Sequence, residues 1–520
     1  GHKGQGGVTP ESVTQELQDM ADMVQRDRSH ASVVLWSFCN EVGCNNESAA
    51  ADFRKITDAF DGTRPVTQNH LGLGDHPLSM RSLDVQGMSH RNADVMDSFH
   101  KLNPTKPIVS SECCSCMSQR GVDQDFCPTP QDGGDPKCMD LQGHGGHDGV
   151  FYNNNIGECT AEQVEWSDSR DFNAGTFVWS GFDYLGESRG WPQTAKCRGT
   201  VADVAGFEKE TRWWLRSWWL SNISDSDHGR PVLWPDASKV ESARTVYIVE
   251  SWVNVPHSVS RTVHVYTDAP AVRLWRNGKV VASASAPARL GTVTFEDVRF
   301  EAGNLTAEAL SAADAHGQRL ATYTALTPGP AASLRLSLDA PSPQTGTGSA
   351  LVADGADVAM VRVEVVDVAG VLVTQDNGAF AEVTVRVLSG AGRVLAVHSG
   401  GPADIHPAGS ATTQAYHGLV RALIRSTEDS ATSARHRRLL HHITLDAGRG
   451  PAASAVRDPA LEDLASEGPP APIVVEATAK GLPPATLEIS VTRDLAQLPL
   501  KVAAASMQRR ERSVDEVAYI

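Results

Sequence analysis

Residues 32–43 read SVVLWSFCNEVG, an apolar run that ends on Asn40 and Glu41. Val33, Val34, Leu35, Trp36 and Phe38 follow one another with little polar alternation, which predicts a strand covered on both faces, as in parallel sheets. A carboxylate is costly at the end of such a strand unless the strand opens onto a cleft. The carboxyl ends of parallel strands are where open sheets and barrels bind their ligands. Glu41 is therefore a candidate catalytic group, and the chain should supply it with a partner.

That partner is Glu112, which closes the run KPIVSSE at residues 106–112 in the same manner. A third run, GTFVWSGFDYLGE at 175–187, ends with Trp179, Asp183, Tyr184 and Glu187. Two carboxylates on one rim suit glycoside hydrolysis. One protonates the leaving oxygen while the other attacks the anomeric carbon or activates water.

The rest of the first 225 residues alternates strand and helix. Helical periodicity covers Ser12 to about Arg28, opened by Thr9, Pro10 and Glu11. Further helices are expected near Glu47 to Phe60 and Asn92 to Leu102, with strands at RPVTQN and LDVQGMS. Such alternation reads as β/α units around a parallel sheet or barrel. Residues 117–170 read as a long insertion without regular structure, rich in Gly, Asp and His. Its HGGHDG run reads as a polar loop before it reads as a metal site. No metal site is assigned.

From about Pro235 the pattern changes to short alternating strands, with Asn277-Gly278 as a hairpin signal. Nine of the eleven tryptophans precede Pro235, which marks the same boundary. The expected organisation is a partial barrel domain at 1–225, a β-sandwich at 235–332 and a second, immunoglobulin-like β-sandwich at 333–495. The second is interrupted by an insertion near 426–447, and a tail covers 496–520.

A net charge of −17 argues against nucleic acid or an anionic membrane as partner. No apolar run approaches the roughly 20 residues that span a bilayer. All nine cysteines lie between Cys39 and Cys197, and Cys113-Cys114-x-Cys116 is too tight for a zinc ribbon. With the sequons at Asn46, Asn222 and Asn304, they favour a secreted or lysosome- or vacuole-like setting over the cytoplasm.

The run RDRSHASVVLWSFCNE resembles the acid/base signature of glycoside hydrolase family 2, the β-galactosidase and β-glucuronidase family. TRPVTQ, LDVQGMS, KPIVSSE, VWSGFDYLGE and GTVADVAGFEKETRWWLRSWW follow in that family's order, over about residues 8–220. The resemblance implies a (β/α)8 TIM barrel with Glu41 as acid/base at the end of strand four and Glu112 as nucleophile at the end of strand seven. It implies further that Asn40 hydrogen-bonds the sugar 2-hydroxyl and that Trp179 forms an apolar wall for the sugar. Asp183, Tyr184 and Glu187 would be rim structure or substrate contacts. The reaction would be retaining, on a β-glycoside substrate, most simply a β-galactoside.

Two departures from the family pattern carry consequences. Gly87-Met88-Ser89-His90 stands where the family shows Gly-Tyr-Asn-Tyr, so His90 takes the place of the tyrosine that hydrogen-bonds the nucleophile. The chain also begins at the helix before strand four, so about strands four to eight are expected here, as a piece of a larger protein. No cofactor requirement is visible; metal ligands of the family would lie upstream. β-Glucuronidase is disfavoured because Asn-x-Lys occurs only as Asn277-Gly278-Lys279, in the hairpin. A non-catalytic carbohydrate-binding or adhesion protein with an inert barrel remnant is the alternative reading.

Overall fold

The computed structural model describes residues 10–41, 47–69, 81–89, 93–114, 116, 119–121, 158–186, 194–197, 199, 201–221, 244–254, 259–286, 292–314, 316–339, 350–353, 355–375, 378–407, 409–427 and 470–492. They form an α/β region followed by β-rich regions. The chain divides into two compact units, one reaching to Ala325 and the other built on the chain from Leu326 onward. No described helix is long and apolar enough to cross a membrane.

Helix α1 (Pro10–Asp27) opens on a proline, whose missing N–H costs nothing in a first turn. Its Met20 and Val24 are buried against Trp36 of β1 (Trp36–Asn40) and Phe53 of α2 (Glu47–Asp61). The buried positions of α2 are Ala50, Phe53, Thr57 and Asp61, spaced as one helical face. Asp61 accepts the Trp36 indole N–H at 2.9 Å and pairs with Arg64, fixing α2 to the start of β1. Strand β1 is shorter and more open than its composition predicts. It begins at Trp36, Ser37 is exposed, and Val34 before it is 71% exposed. Of the β1 residues only Trp36 is buried, Ser37 is exposed and Phe38 to Asn40 are half-buried, so the expectation of cover on both faces is not met among the described residues.

Strand β2 (Val66–Asn69) pairs parallel with β1. Strand β3 (Gln86–Ser89), α3 (Ala93–Leu102) and β4 (Ile108–Cys114) follow, and β5 (Asn173–Trp179) completes a parallel set in the order β3-β4-β5. The N–H groups of Asp84 and Val85 donate to the Val66 carbonyl at 3.0 and 3.3 Å, which sets β3 beside β2. The approach is close enough that a Cβ on Gly87 would lie 1.5 Å from the Gln68 carbonyl oxygen, so only glycine fits there.

Helix α4 (Glu158–Asp168) lies inside the stretch expected to lack regular structure, and corrects that expectation. Its buried face is Thr160, Ala161, Val164 and Ser167, too small and polar to give a strong apolar period. The short pair β6 (Tyr184–Leu185) and β7 (Ala195–Lys196) and helix α5 (Glu210–Ser221) end the α/β part. Ala161, Val164, Trp214 and Leu215 share a core with Cys113, Cys114, Val249 and Tyr266. Trp213 stacks on Tyr247 at 5.2 Å between centroids, so α5 packs on the β-rich chain that follows within the same unit.

That β-rich chain has a four-stranded sheet, in the order Lys279–Ser285, Ala271–Arg276, Asn304–Leu310, Arg319–Leu326, and a three-stranded one, Thr292–Arg299, Ser260–Thr267, Val246–Ile248. Both contribute to one core around Val263, Val265, Leu274, Leu305 and Phe295. Asn277 and Gly278 both have positive φ and join Arg276 to Lys279 in a two-residue hairpin, as the sequence predicts. The second unit has two four-stranded sheets. One runs Ser333–Leu338, Val358–Val366, Leu419–Ser426, Gly392–His398, and the other Thr412–Gln414, Glu382–Ser389, Ile473–Ala479, Ala485–Ile489. A single aliphatic core lies between them. The insertion expected near 426–447, apart from 426–427, and the tail at 496–520 lie outside the described residues.

Candidate active site

Polar residues gather where β1, β2, β3 and β4 end. Asn40 is the last residue of β1 and pairs in register with Asn69, the last residue of β2. Glu41 follows immediately, with φ 55°, a left-handed conformation that costs a non-glycine residue about 1–3 kcal/mol. Its N–H donates to the Asn69 carbonyl at 2.5 Å, which holds the turn. The turn folds the Glu41 side chain inward: the residue is 9% exposed, and Ser89 Oγ lies 3.5 Å from its Oε1.

Ser89 ends β3 and is the register partner of Glu112 on β4. The register slips between Met88 and Ser89, and again between Ser110 and Cys113 on the β5 side. Such irregularities re-aim a side chain at a strand end. Here they flank Glu112, whose Oε2 accepts a hydrogen bond from Asn69 Nδ2 at 2.8 Å. The same Asn69 amide donates to Asn40 Oδ1, and Asn69 Oδ1 accepts from Ser111 Oγ at 2.7 Å. Asn69 is thus shared by Asn40, Ser111 and Glu112, while Ser89 lies beside both glutamates. The two glutamates named from the sequence stand at one rim, linked through these neighbours.

Trp179 ends β5, is 40% exposed and donates its indole N–H to the Tyr184 hydroxyl at 3.3 Å. The two rings meet edge to face at 6.0 Å, and the Trp179–Ser180 peptide is cis. Asp183 is placed differently from a substrate contact. Its Oδ1 accepts from Lys209 Nζ at 2.9 Å and from the Gly199 N–H at 2.7 Å, and the ion pair is almost wholly removed from solvent. Burial pushes the Asp183 carboxyl above the usual carboxylate range, with Lys209 opposing. The arrangement is that of a rim strut. A second buried pair, Arg120 with Asp203 at 2.7 Å, lies on neighbouring chain.

His90, Glu187, the HGGHDG run and the sequons at Asn46 and Asn222 lie outside the described residues. Among the described residues no group of three or more His, Cys, Asp or Glu is arranged to hold a metal ion. Cys113 and Cys114 form a disulfide with each other directly after Glu112. Sequence reasoning missed Asn69, Ser89, Ser111 and Lys209. Asn69 carried a usable signal, since it ends the strand expected at RPVTQN as Asn40 ends β1.

Comparison with known proteins is consistent along the chain. Residues 4–128 match the TIM barrel domain of glycosyl hydrolases family 2, and residues 345–434 match C-terminal domain 5 of glycoside hydrolase family 2. Residues 260–315 match a domain of unknown function. The β-galactosidase BoGH2A of Bacteroides ovatus is 26% identical over 458 residues, which are 79% of this chain and 48% of that protein. A β-glucuronidase of Mus musculus is 42% identical over 78 residues, 14% of this chain and 12% of its own. A β-glycosidase of Bacteroides vulgatus has a similar structure, with TM-score 0.64 at 21% identity, covering 91% of this chain and 53% of that one. The chain thus spans about half the length of BoGH2A and less of the other curated relatives it matches. With the glutamates at their strand ends, the matches to a barrel domain and a C-terminal domain of glycoside hydrolase family 2, in that family's order, support that family for this chain.

Proposed function

We propose that the chain supplies the acid/base and nucleophile of a retaining β-glycosidase, most simply one acting on β-galactosides. The observation that carries the proposal is that Glu41, after β1, and Glu112, on β4, both face the same neighbours at one rim, Ser89 and Asn69. Glu112 attacks the anomeric carbon as Glu41 protonates the departing glycosidic oxygen, giving a covalent glycosyl-enzyme. Glu41 then takes a proton from water, which displaces Glu112 with net retention. This chemistry calls for carboxyl groups about 5–5.5 Å apart. Asn40 serves the sugar 2-hydroxyl, and the exposed face of Trp179 gives the sugar an apolar wall.

The order β1-β2 and β3-β4-β5, all parallel, supports assigning these strands to the later part of a (β/α)8 barrel within about residues 1–225. Separate aliphatic cores support β-sandwiches at about 235–332 and 333–495, the latter immunoglobulin-like. The galactoside reading draws on BoGH2A, whose match covers most of this chain. Asn277-Gly278-Lys279, the sole Asn-x-Lys of the sequence, sits in a hairpin turn of the β-rich region, which speaks against glucuronide binding through that motif.

The test is covalent. A 2-deoxy-2-fluoro-β-galactosyl fluoride should label the full-length protein once, and peptide mapping should place the sugar on Glu112. Labelling on any other residue, or labelling only by the corresponding 2-deoxy-2-fluoro-β-glucuronyl fluoride, would replace this assignment.

A further inference from the structure

The Glu112 carboxylate has a donor supplied by a different strand, the Asn69 amide at the end of β2. Asn69 sits at the end of β2 with 7% of its surface exposed and with its amide in use on both sides. One N–H reaches Glu112 Oε2 at 2.8 Å, the other reaches Asn40 Oδ1, and Oδ1 receives the Ser111 hydroxyl at 2.7 Å. The Glu112 carboxylate, which only accepts, fixes which way the amide faces, and the Ser111 hydroxyl can donate to the oxygen that remains. A reversed amide would turn its carbonyl oxygen toward a carboxylate and toward the Asn40 carbonyl oxygen, two repulsive contacts. We propose that Asn69 is the positioning residue of this site, a clamp that sets the Glu112 carboxylate for attack and orients the Asn40 amide for the substrate in one stroke.

The proposal rests on the glycosidase reading above, and the chemistry of amides makes it specific. An asparagine has two N–H donors on one nitrogen, so it can serve a carboxylate and a carbonyl side by side without breaking either bond. Bonding to Glu112 Oε2 fixes the rotation of the carboxylate and so directs its other oxygen. Bonding to Asn40 Oδ1 determines which end of the Asn40 amide that residue keeps for the sugar: its NH2, for which no described residue is a partner. A donor for the 2-hydroxyl oxygen follows. The backbone carbonyl of Asn69 also holds the Glu41 N–H, so the same residue touches the turn that carries the acid/base. Ser111 immediately precedes Glu112 and completes the circuit.

Two labelling substrates separate the two arms of the clamp. The 2-fluoro sugar lacks the 2-hydroxyl, so it reads only the Glu112 arm; the ordinary nitrophenyl galactoside reads both. In the full-length protein, Asn69→Ala should slow covalent labelling by about 10- to 100-fold, the scale of a misplacement of about 1 Å. The concentration for half-maximal labelling should move less than about threefold, because binding contacts remain. Turnover of the nitrophenyl galactoside should fall about tenfold further. Ser111→Ala, a smaller change that leaves Asn69 in place, should slow labelling several-fold. A crystal structure of Asn69→Ala should show the Glu112 carboxylate rotated from its wild-type position.

Labelling of Asn69→Ala at the wild-type rate, or an unmoved Glu112 carboxylate, overturns the clamp while leaving the glycosidase reading intact. A rotated carboxylate in a protein that the reagent never labels at Glu112 upholds the clamp and removes the glycosidase reading.

Discussion

The strand-end rim and the core of the second unit are both buried, but they are built on opposite rules. In the second unit Val361, Val363, Val365, Val383, Val385, Val420, Ile424 and Val475 meet across two sheets, each contributing apolar surface and little else. At the rim the buried groups are Glu41, Asn69, Ser89, Asp183 and Lys209, and each is held by named partners. Aliphatic packing is additive and forgiving, since neighbouring side chains can relax toward a lost methyl group. A buried polar network is not, because removing one member leaves another desolvated and unpaired. The sandwich holds shape by redundancy, and the rim holds geometry by dependence.

The largest effect expected from this contrast is chemical. Glu41→Ala in the full-length protein should cost about 10²–10⁴-fold on a galactoside with a poor leaving group. A dinitrophenyl galactoside, which departs without protonation, should be cleaved to its glycosyl-enzyme at close to the normal rate. Equal losses on both substrates, measured by the initial burst, would mean that Glu41 is not the acid.

Next comes the buried ion pair. Lys209→Met leaves the Asp183 carboxylate desolvated with the Gly199 N–H as its remaining partner among the described residues, and should destabilise the folded unit by about 3–5 kcal/mol. Adding Asp183→Asn should recover part of that loss, as a thermal or denaturant melt would reveal. A single variant melting with the wild type would show that the pair is solvated and the rim less dependent than described.

The smallest effect belongs to the sandwich. Ile424 is fully buried, yet Ile424→Val should cost only about 0.5–1.5 kcal/mol, with no change in the rate of covalent labelling. A larger loss would mean that the aliphatic core is as exacting as the rim.

The sequence carried the elements whose signal is local. Two apolar runs ending in Glu41 and Glu112, the Asn277-Gly278 turn and the alternating strands after Pro235 all declare themselves within a few residues. Helix α4 was hidden because its buried face is Thr160, Ala161, Val164 and Ser167, which leaves no apolar period to find. The openness of β1 was hidden as well: composition states what a strand can bury, while its neighbours decide what it does bury.

What the sequence by itself determined is which residues carry charge at the ends of which strands, because strand propensity and polarity are properties of short segments. What only the tertiary structure decided is whom those residues meet. Asn69 lies 29 positions from Asn40 and 43 from Glu112, and Asp183 lies 26 from Lys209, yet each pair is in hydrogen contact. Nothing in the spacing announces them. They are brought together by parallel pairing, by register slips beside Glu112 and by a glycine at 87 that lets two strands close, and hydrogen bonds of a few ångströms exist only once that packing is complete.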